Sequence, residues 1–515
     1  MKVLLFILSI STTFGSNILL IDEILSTSHQ IWNYVLVEAL LDKGHHVTII
    51  GPKTIDIIVH TNCTMYVVED LRKSVEKIME PNEIQQYGTY GNIKLLYDYT
   101  DNTCLHISQS PALKKLLHEN RNTKFDLIII DMSFGGCLLP LLEKFNYPPS
   151  IAVCPFLLLP YLSELFGNSV HPAFVPHMYS KFSSKMSYFE RIQNYVYTYG
   201  EIYMWSRIYQ SRRTEIAKMA FGEDIAPIEK LERHLSLVLT NIIMGFNYAR
   251  PLTPNIIPVG GLHIRPARKL PNDIEQIITR SQHGVILFSF GTNVRSADLN
   301  ADTVQEILKA LSRLNETVLW KFNREIIDVP KNVIIRKWLP QSDILAHSKT
   351  KLFISHCGAL STTEAVYRGV PIVAVPFIVD QHLLAEQMRV QKWATVIDFK
   401  TITEDSFLDA IYEVLHNPEY RKNIQKLSRI VRDQKETPLE RSLFWIEYAM
   451  RHNGTHHLDP ESRNLSLFVQ SSLDVILFLL FIVFVFLVLT VTVLLYLKTI
   501  LASYLSNKID KIKSS

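Results

Sequence analysis

The chain has 515 residues and a formal net charge of +3, which is enough length for two domains and appended segments. So small a charge, without a basic stripe interleaved with aromatic residues, argues against binding of nucleic acid. The five cysteines are an odd set with no Cys-x-x-Cys spacing, so neither a metal site nor a disulfide framework is predicted. At most, Cys63 and Cys104 could pair in an oxidising compartment, and Cys154 is predicted to be a buried strand residue.

The N-terminus has the features of a cleaved signal peptide. Residues 1–16 contain Lys2, an apolar run too short to span a membrane, and the small residues Gly15 and Ser16. The alternative is a first core strand, but Asn17–Ile21 already supplies that strand. A helix with apolar residues on one face follows it, and then a strand over residues 46–50. This order predicts a parallel sheet with a right-handed crossover.

A histidine and an aspartate follow two strands of this first sheet. His29 lies in the first turn of the helix after the first strand, and Asp131 ends the apolar run 125–130. Both side chains therefore arrive at the carboxyl edge of the sheet, where an imidazole oriented by a carboxylate can take a proton from a hydroxyl group. The alternatives are a surface or capping histidine, and an aspartate that caps a helix over residues 133–145.

Large apolar and aromatic residues dominate the stretch 156–221, where prolines interrupt them. They suit the lining of a pocket for a lipophilic small molecule, although core packing explains most of them and membrane contact explains some. The stretch contains Phe156, Tyr161, Leu165, Phe166, Phe174, Met178, Tyr179, Phe182, Tyr188, Phe189, Tyr195, Tyr197, Tyr199, Tyr203, Met204 and Trp205. The sequence does not single out the pocket residues among them.

Prolines and glycines over residues 251–271 predict an irregular linker between two domains. Apolar runs that alternate with helical patterns then predict a second doubly wound sheet, with strands at 285–290, 317–322 and 333–336. Gly291 and Thr292 form the exit of the first of these strands. We expect a first domain over residues 17–250 and a second over residues 272–452, and we expect the helical pattern after Pro438 to return to the first domain.

The stretch 353–400 has the most informative pattern of the chain. A strand runs into the turn Ser355-His356-Cys357-Gly358, and a helix begins directly after it. The turn and the helix N-terminus offer backbone N–H groups and a positive dipole end that suit a pyrophosphate, and His356 can add a donor. Glu364, deeper in the helix, is placed to accept hydrogen bonds from ribose hydroxyls.

Polar residues beside this turn complete a nucleotide-site pattern. Asp380 and Gln381 follow the next strand at the carboxyl edge, where ligands bind in open α/β sheets. Upstream, Trp338 offers a ring face for a base, and Gln341 offers both a donor and an acceptor to the edge of that base. A tryptophan after a strand is otherwise a core residue.

Together these motifs resemble the signature of the animal-type UDP-glycosyltransferases, over most of the chain from about Asn17 onward. The signature comprises the His-x-Gly turn, the Glu-Ala pair, Tyr-x-Gly-Val-Pro, the Asp-Gln pair and Trp338-Leu339-Pro340-Gln341-x-Asp343-Ile344-Leu345-x-His347. Several co-linear motifs at matching spacing make the resemblance specific. It implies two facing doubly wound, Rossmann-like α/β domains of the GT-B type, with the acceptor bound mainly by the first domain and the UDP-sugar by the second.

The resemblance also implies roles for individual residues. The catalytic base and its partner match His29 and Asp131. In the family, the Trp and Gln hold uracil, the His and the following backbone hold the diphosphate, the Glu holds the ribose, and the Asp-Gln pair holds sugar hydroxyls. The residues assigned in this way to the donor are Gly291, Thr292, Trp338, Gln341, Ser355, His356, Gly358, Ser361, Glu364, Asp380 and Gln381.

Three positions depart from the usual family pattern. Cys357 stands where animal members usually have a second glycine, but plant members of the wider family read His-Cys-Gly there. Leu360 and Leu384 stand where many relatives have asparagine, and a leucine can neither donate nor accept a hydrogen bond. Leu360 belongs to a Leu-Ser-Thr run that resembles invertebrate members that use glucose. Leu384 is less expected, and it changes the predicted contacts with the donor.

The C-terminus predicts a single membrane span. Residues 475–497 contain no charged residue and are long enough to cross a hydrocarbon core as a helix. Lysines in the tail 498–515 place that tail in the cytosol and the body, with the segment 453–474, in the lumen. Lysines third and fifth from the end resemble an endoplasmic reticulum retrieval signal. We expect a single-pass type I protein of that membrane, with glycosylation sequons at Asn62, Asn315, Asn453 and Asn464.

The predicted activity is inverting transfer of a hexose, glucose, from a UDP-sugar to a hydroxyl of a lipophilic small molecule. Detoxification and the conjugation of hormones or pigments are the roles that the resemblance implies. No permanently bound cofactor and no metal are expected, and homo- or hetero-oligomers are compatible with the sequence. Two alternatives remain: a UDP-glucuronosyltransferase, and a catalytically inactive, membrane-anchored binding subunit with the same fold.

Overall fold

The computed structural model describes residues 15–55, 59–71, 88–292 and 299–513. Most of the predicted signal peptide, residues 1–14, lies outside these ranges. The chain divides into two compact units, and the division falls between Asp459 and Pro460.

The first unit begins with a sheet of parallel strands: β1 Asn17–Ile21, β2 His46–Gly51, β3 Cys63–Val67, β4 Leu127–Asp131, β5 Ser150–Cys154, β6 Leu235–Thr240 and β7 Ile256–Pro258. Their order is β3-β2-β1-β4-β5-β6-β7. β4, β5 and β6 are buried along their whole length, as expected for parallel strands with helices on both faces. The direction of winding reverses between β1 and β4, and ligands bind beyond the carboxyl ends of strands at such a reversal.

The described helices of this N-terminal half are α1 Thr27–Asp42, α2 Thr89–Gln109, α3 Pro111–Glu119, α4 Leu141–Lys144, α5 Pro160–Leu165, α6 Tyr188–Met204, α7 Gln210–Phe221 and α8 Ile228–Glu232, with a π-helical turn at Trp205–Tyr209 between α6 and α7. Trp32, Leu36 and Leu40 of α1 are buried at four-residue spacing, which is the core-facing stripe of an amphipathic helix. The alternative helix over residues 133–145 is absent apart from α4. Gly135 adopts a φ of 79°, which lies outside the α-helical region.

Within the described residues, the second sheet has six parallel strands: β8 Val285–Ser289, β9 Thr317–Lys321, β10 Val333–Arg336, β11 Thr350–Ser355, β12 Ile372–Ala374 and β13 Ala394–Val396. Their order is β10-β9-β8-β11-β12-β13, so the winding reverses between β8 and β11. The described helices of this C-terminal half are α9 Asn272–Arg280, α10 Ala301–Ser312, α11 Gln341–Ala346, α12 Ala359–Arg368, α13 Gln381–Val390, α14 Glu404–His416 and α15 Pro418–Arg432. The fold is therefore two doubly wound α/β domains.

Two segments join the halves. The stretch 251–271, predicted to be irregular, contributes β7, which pairs with β6 at the edge of the first sheet. Helix α16, Pro438–Arg451, packs on α1: Leu443 and Ile446 share a buried cluster with Trp32 of that helix. A capping box at Thr437 starts α16.

The disulfide differs from the pairing considered from the sequence. Cys104 in α2 is bonded to Cys137 in the loop after β4, and their Cα atoms are 5.7 Å apart. Cys63 is a free cysteine. The proposed pairing of Cys63 with Cys104 is wrong, because Cys63 lies in register with Val47 of β2, whereas α2 places Cys104 against the loop of Cys137. Cys154 is buried in β5, as expected.

The second unit contains α17, Leu467–Gln470, and one long helix, α18, Leu473–Lys513. Residues 473–510 of α18 are long and apolar enough to cross a membrane. The helix continues through residues 498–513, so this part of the predicted tail is helical.

Candidate active site

A cavity of about 760 Å³ lies where the carboxyl ends of the two sheets face each other. The N-terminal half supplies residues after β1, at the start of α1 and after β5. The C-terminal half supplies residues after β8, β11 and β12. Both reversals of winding therefore open onto one cavity, as the rule for open parallel sheets predicts.

His29 and Asp131 form a buried pair beside this cavity. The His29 Nδ1 atom lies 2.8 Å from Asp131 Oδ2, and the two side chains are 1% and 0% exposed. His29 follows β1 and Asp131 ends β4, so the neighbouring strands bring them together. The ring of Phe156 lies edge-on to the imidazole, with centroids 4.7 Å apart. His29 lines the cavity, and Asp131 lies behind it.

The Asp131 carboxylate is surrounded by donors. Its Oδ1 accepts from the backbone N–H and the hydroxyl of Ser133, at 3.0 and 2.6 Å, and Asn33 donates to Oδ2 at 3.3 Å. Burial opposes ionisation of Asp131, but attraction to His29 and the bonds from His29 and Ser133 outweigh burial and lower its pKa. Asp131 thus stays ionised and holds one nitrogen of His29. The other nitrogen, Nε2, is buried and has no hydrogen-bond partner among the described residues.

His356 occupies a tight place in the opposite wall. A Cβ atom on Gly291 would lie 2.5 Å from the His356 ring, and one on Gly358 would lie 2.6 Å from its Nε2, so only glycine fits on either side. Burial, with a smaller contribution from Lys321, lowers the pKa of His356 to about 3. The ring is therefore neutral. Its Nδ1 is buried without a partner in the described part of the chain.

Lys321 is a site residue that the sequence did not reveal. It ends β9, and its Nζ donates to the Gly291 carbonyl at 2.9 Å and lies 4.7 Å from the ring centroid of Trp338. Burial lowers the pKa of Lys321 to about 8. The sequence feature that could have indicated Lys321 is its position at the carboxyl end of a predicted strand of the second sheet.

Trp338, Gln341, Ser361 and Glu364 all line the cavity. Trp338 is 60% exposed, so it is not a core residue. The Gln341 amide donates to Ser361 Oγ at 3.0 Å and to Glu364 Oε2 at 2.6 Å. Burial raises the pKa of Glu364 to about 7, although Gln341 and two nearby arginines counteract it.

Asp380 and Gln381 lie at the start of α13 and line the cavity. The Gln381 Oε1 accepts from the backbone N–H groups of Phe377 and Ile378, at 2.7 and 3.0 Å. Burial raises the pKa of Asp380 to about 7, and its Oδ2 has no partner within the described ranges. Val379, directly before Asp380, has a φ of 57°, a left-handed conformation that β-branched residues rarely adopt.

Not every expected site residue lines the cavity. Ser355 is fully buried, and its hydroxyl accepts from the Cys357 N–H at 3.1 Å, so it holds the turn. Cys357 itself has a φ of 67° and is buried. Leu384 is a core residue, whereas Leu360 lines the cavity. Gly291 and Thr292 also line it, and residues 293–298 lie outside the described ranges.

The apolar lining of the cavity comes mostly from residues outside the aromatic-rich stretch 156–221, in which the sequence analysis expected it. Of the residues named in that stretch, only Phe156 lines the cavity. Leu96 and Tyr99 of α2 and Phe134 after β4 provide further apolar surface. Tyr99 is held by a bond from its hydroxyl to the Leu25 carbonyl at 3.0 Å. Sequence reasoning missed these residues because α2 carries no motif.

Two doubly wound sheets that share a cavity, with a histidine–aspartate pair on one wall and a nucleotide-type helix N-terminus on the other, define a glycosyltransferase of the GT-B type. Solved glycosyltransferases share the fold. UDP-glucose: anthocyanidin 3-O-glucosyltransferase in complex with UDP matches with a TM-score of 0.55 and 15% identity, over 85% of this chain and 99% of that one. Glycosyltransferase VinC in complex with DTDP matches with a TM-score of 0.57 and 16% identity, over 85% of this chain and 100% of that one.

The chain belongs to the UDP-glucoronosyl and UDP-glucosyl transferase family, whose model matches residues 13–505. It is 31% identical to UDP-glucosyltransferase 2 of Dactylopius coccus over 502 residues, 92% of each chain. It is also 31% identical to human UDP-glucuronosyltransferase 2B15 over 477 residues, 88% of each chain. The protein is therefore an enzyme that transfers a sugar from a UDP-sugar to an acceptor.

Proposed function

We propose that the protein transfers glucose from UDP-glucose to a hydroxyl group of a lipophilic small molecule, with inversion at the anomeric carbon. The observation that carries this proposal is the His29–Asp131 pair. One imidazole nitrogen is 2.8 Å from an ionised carboxylate, and the other is buried at the cavity wall without a partner in the described chain. A base with one occupied and one unoccupied nitrogen is arranged to take a proton from a hydroxyl.

In the proposed reaction, His29 Nε2 accepts the proton of the acceptor hydroxyl while its oxygen attacks the anomeric carbon. The bond from that carbon to the UDP oxygen breaks in the same displacement, so the configuration inverts. Asp131 keeps its negative charge and stabilises the imidazolium that forms. The Ser133 and Asn33 bonds keep the carboxylate in place during this step.

We assign the C-terminal wall to the nucleotide. Trp338 would stack on uracil, and Gln341 would bind its edge. Glu364 would accept from the ribose hydroxyls, and the start of α12 would meet the diphosphate with His356 and the cation of Lys321. A leaving diphosphate gains negative charge, and neutral His356 stabilises it as a donor while Lys321 contributes charge.

Glucose is favoured over glucuronate by the surroundings of Asp380 and Gln381. Both side chains can bind neutral sugar hydroxyls, whereas a sugar carboxylate would be repelled by the ionised fraction of Asp380, whose pKa is about 7. Arg250, the last residue of the predicted first domain, does not line the cavity and donates to the Leu158 carbonyl at 3.3 Å. Among the described residues, three cations do line it: Arg265 pairs with Asp343, Lys321 lies over Trp338, and Arg268 is exposed.

The acceptor would be a lipophilic phenol or alcohol, because Leu96, Tyr99, Phe134 and Phe156 line the cavity on the His29 side. Conjugation of such compounds serves detoxification or the handling of hormones and pigments. We place the body in the endoplasmic reticulum lumen, because the apolar part of α18 is followed, within the same helix, by Lys498, Lys508, Lys511 and Lys513.

The function is tested with microsomes that carry the protein, assayed on a panel of phenols with UDP-glucose and UDP-glucuronate at equal concentration. We expect glucoside formation and a kcat/KM ratio that favours glucose. A ratio that favours glucuronate would show that a cation faces the sugar. Absence of turnover with every donor and acceptor, with UDP binding retained, would contradict the proposed reaction.

A further inference from the structure

The linker between the two halves places a histidine in the wall of the cavity. His263 lies in the turn after β7, is 7% exposed and lines the cavity. Neither of its ring nitrogens has a hydrogen-bond partner among the described residues. A buried polar atom without a partner is destabilising, and here one side chain has two such atoms at a cavity wall. The arrangement suits a ligand that supplies the missing partners.

Contacts with α12 fix the position of this turn. On one side of His263, the Tyr367 hydroxyl donates to the Gly260 carbonyl at 3.2 Å. On the other side, the Arg368 guanidinium donates to the Arg265 carbonyl at 2.7 Å. Both donors belong to the last turns of α12, so the linker packs along that helix and His263 is held between the two contacts.

The imidazole of His263 is neutral and lies beside the first turn of α12. Burial lowers its pKa to about 4, and the backbone of Leu360, in that first turn, counteracts burial only in part. A neutral imidazole has one N–H that donates and one nitrogen that accepts, whereas the side chain of Leu360 can do neither. His263 thus brings to this turn the hydrogen-bonding capacity that a leucine at position 360 lacks.

The start of α12 is the part of the wall that best suits an anion. Its first N–H groups and the positive end of its dipole favour a phosphate group. His356 precedes the helix, and His263 reaches the same turn from the linker, so two neutral rings from separate segments approach the helix start. A sugar nucleotide offers both partners that such a ring needs, because phosphate oxygens accept hydrogen bonds and ribose hydroxyls can donate them.

We propose that His263 is a donor-binding residue, which donates a hydrogen bond to a diphosphate oxygen of the UDP-sugar at the start of α12. The inference rests on the assignment of this wall to the nucleotide, which the UDP affinity of the wild type tests by itself. Because His263 belongs to the linker, the bond would connect the linker directly to the nucleotide. It would also compensate for the missing polar group at Leu360.

The test compares two substitutions that are close to histidine in size, made in the full chain and purified in detergent. His263→Met removes both hydrogen-bonding atoms, whereas His263→Gln keeps a donor and an acceptor. His283→Met is the control, because His283 is exposed in the loop between α9 and β8. Calorimetric titration measures the Kd for UDP, and displacement of UDP measures the Kd for uridine, which lacks the phosphates. Thermal unfolding without ligand measures stability.

We expect His263→Met to raise the Kd for UDP about tenfold and to leave the Kd for uridine within about twofold of the wild type, because only UDP carries the proposed acceptor. His263→Gln should retain most of the UDP affinity, and His283→Met should retain all of it. Unliganded His263→Met should melt no lower than the wild type, since the apolar side chain removes two unpartnered buried atoms.

Three results would overturn the proposal. The first is a normal Kd for UDP in His263→Met. The second is an equal loss of affinity for UDP and uridine, which would indicate a change in the shape of the site. The third is a lower melting temperature of unliganded His263→Met with no change in His263→Gln, which would indicate that the ring supports the structure of the protein itself.

Discussion

The two walls of the cavity differ in how fully their polar side chains are bonded to other groups of the protein. On the N-terminal wall, Asp131 is surrounded by donors, its pKa is lowered, and it holds His29 at 2.8 Å. On the C-terminal wall, burial raises the pKa values of Glu364 and Asp380 to about 7, and polar atoms of His356 and Asp380 have no partner in the described structure. We infer that the proposed catalytic pair is preorganised apart from His29 Nε2, which is left for the acceptor, whereas the proposed nucleotide wall is completed by its ligand. Substitutions on the first wall should therefore change turnover, and those on the second should change affinity.

The largest expected effect is that of His29→Ala. Loss of the base should lower kcat by about 10²- to 10⁴-fold and leave the Kd for UDP unchanged. Initial rates at saturating donor, with calorimetric titration of UDP, measure both quantities. His118→Ala, an exposed histidine in α3, is the control. Near-normal turnover of His29→Ala would refute the base assignment.

Asp131→Asn should cause a loss of kcat of about 10²-fold, because the neutral amide no longer stabilises the imidazolium. The volume of the side chain is nearly unchanged, so the Kd for UDP should again stay constant. Asp126→Asn is the matched control. Asp126 directly precedes β4, at the end opposite to Asp131, and it accepts from the Asn17 N–H at 2.8 Å. Equal kcat values for the two variants would contradict the pairing.

Gly358→Ala tests the nucleotide wall. The added Cβ would lie 2.6 Å from His356 Nε2 and displace the ring, so we expect the Kd for UDP to rise about tenfold, or ~1.4 kcal/mol. Turnover at saturating donor should change less. Gly88→Ala is the control, because a Cβ there meets nothing within 4 Å. If Gly358→Ala binds UDP normally, the diphosphate does not depend on the position of His356.

Lys321→Gln should have the smallest effect, a rise in the Kd for UDP of about fivefold at pH 7, or ~1 kcal/mol, as expected for a partly solvated ion pair. The pKa of Lys321 is about 8, so its charge is present below that pH and lost above it. UDP affinity of the wild type should therefore fall as the pH rises through about 8.

Two variants separate charge from shape at this position. Lys321→Gln should remove the pH dependence, and Lys321→Arg should keep the affinity at high pH because a guanidinium stays charged. The measurement is the UDP Kd between pH 6.5 and 9. A wild-type affinity that does not change over this range would show that Lys321 does not contact the diphosphate.

The nucleotide wall was easier to predict from the sequence than the acceptor wall. Apolar runs such as the one ending at Ser355 predict parallel strands, and polar residues that follow strands collect at the carboxyl edge of their sheet. This rule predicted His29 beside Asp131 in the first sheet, and His356 and Asp380 at the same edge of the second. Lys321 was missed because a lone lysine at a strand end has no motif, although the same rule applies to it.

Tertiary packing decided the features that could not be predicted. The partner of Cys104 depends on which loop α2 crosses, and no local pattern encodes that crossing. The aromatic residues of α6 have the helical spacing of a core stripe, yet Asn194 and Glu201 bind the interior and turn those rings outward. In α6, the hydrogen bonds of the buried polar side chains outweighed the preference of the apolar side chains for the core. A sequence pattern alone does not reveal those hydrogen bonds.

The backbone at Val379 has a consequence for engineering. A β-branched residue in the left-handed region carries a conformational cost of about 1–2 kcal/mol, and here that cost falls on the residue directly before Asp380. Val379→Gly would relieve it, but the same change would remove apolar contacts of Val379 with two hydrophobic clusters and would raise the conformational entropy of the unfolded chain. The valine side chain thus offsets the cost of its own backbone conformation. A designer who removes that cost at position 379 would also free the backbone that positions Asp380, and we expect sugar selectivity to decline.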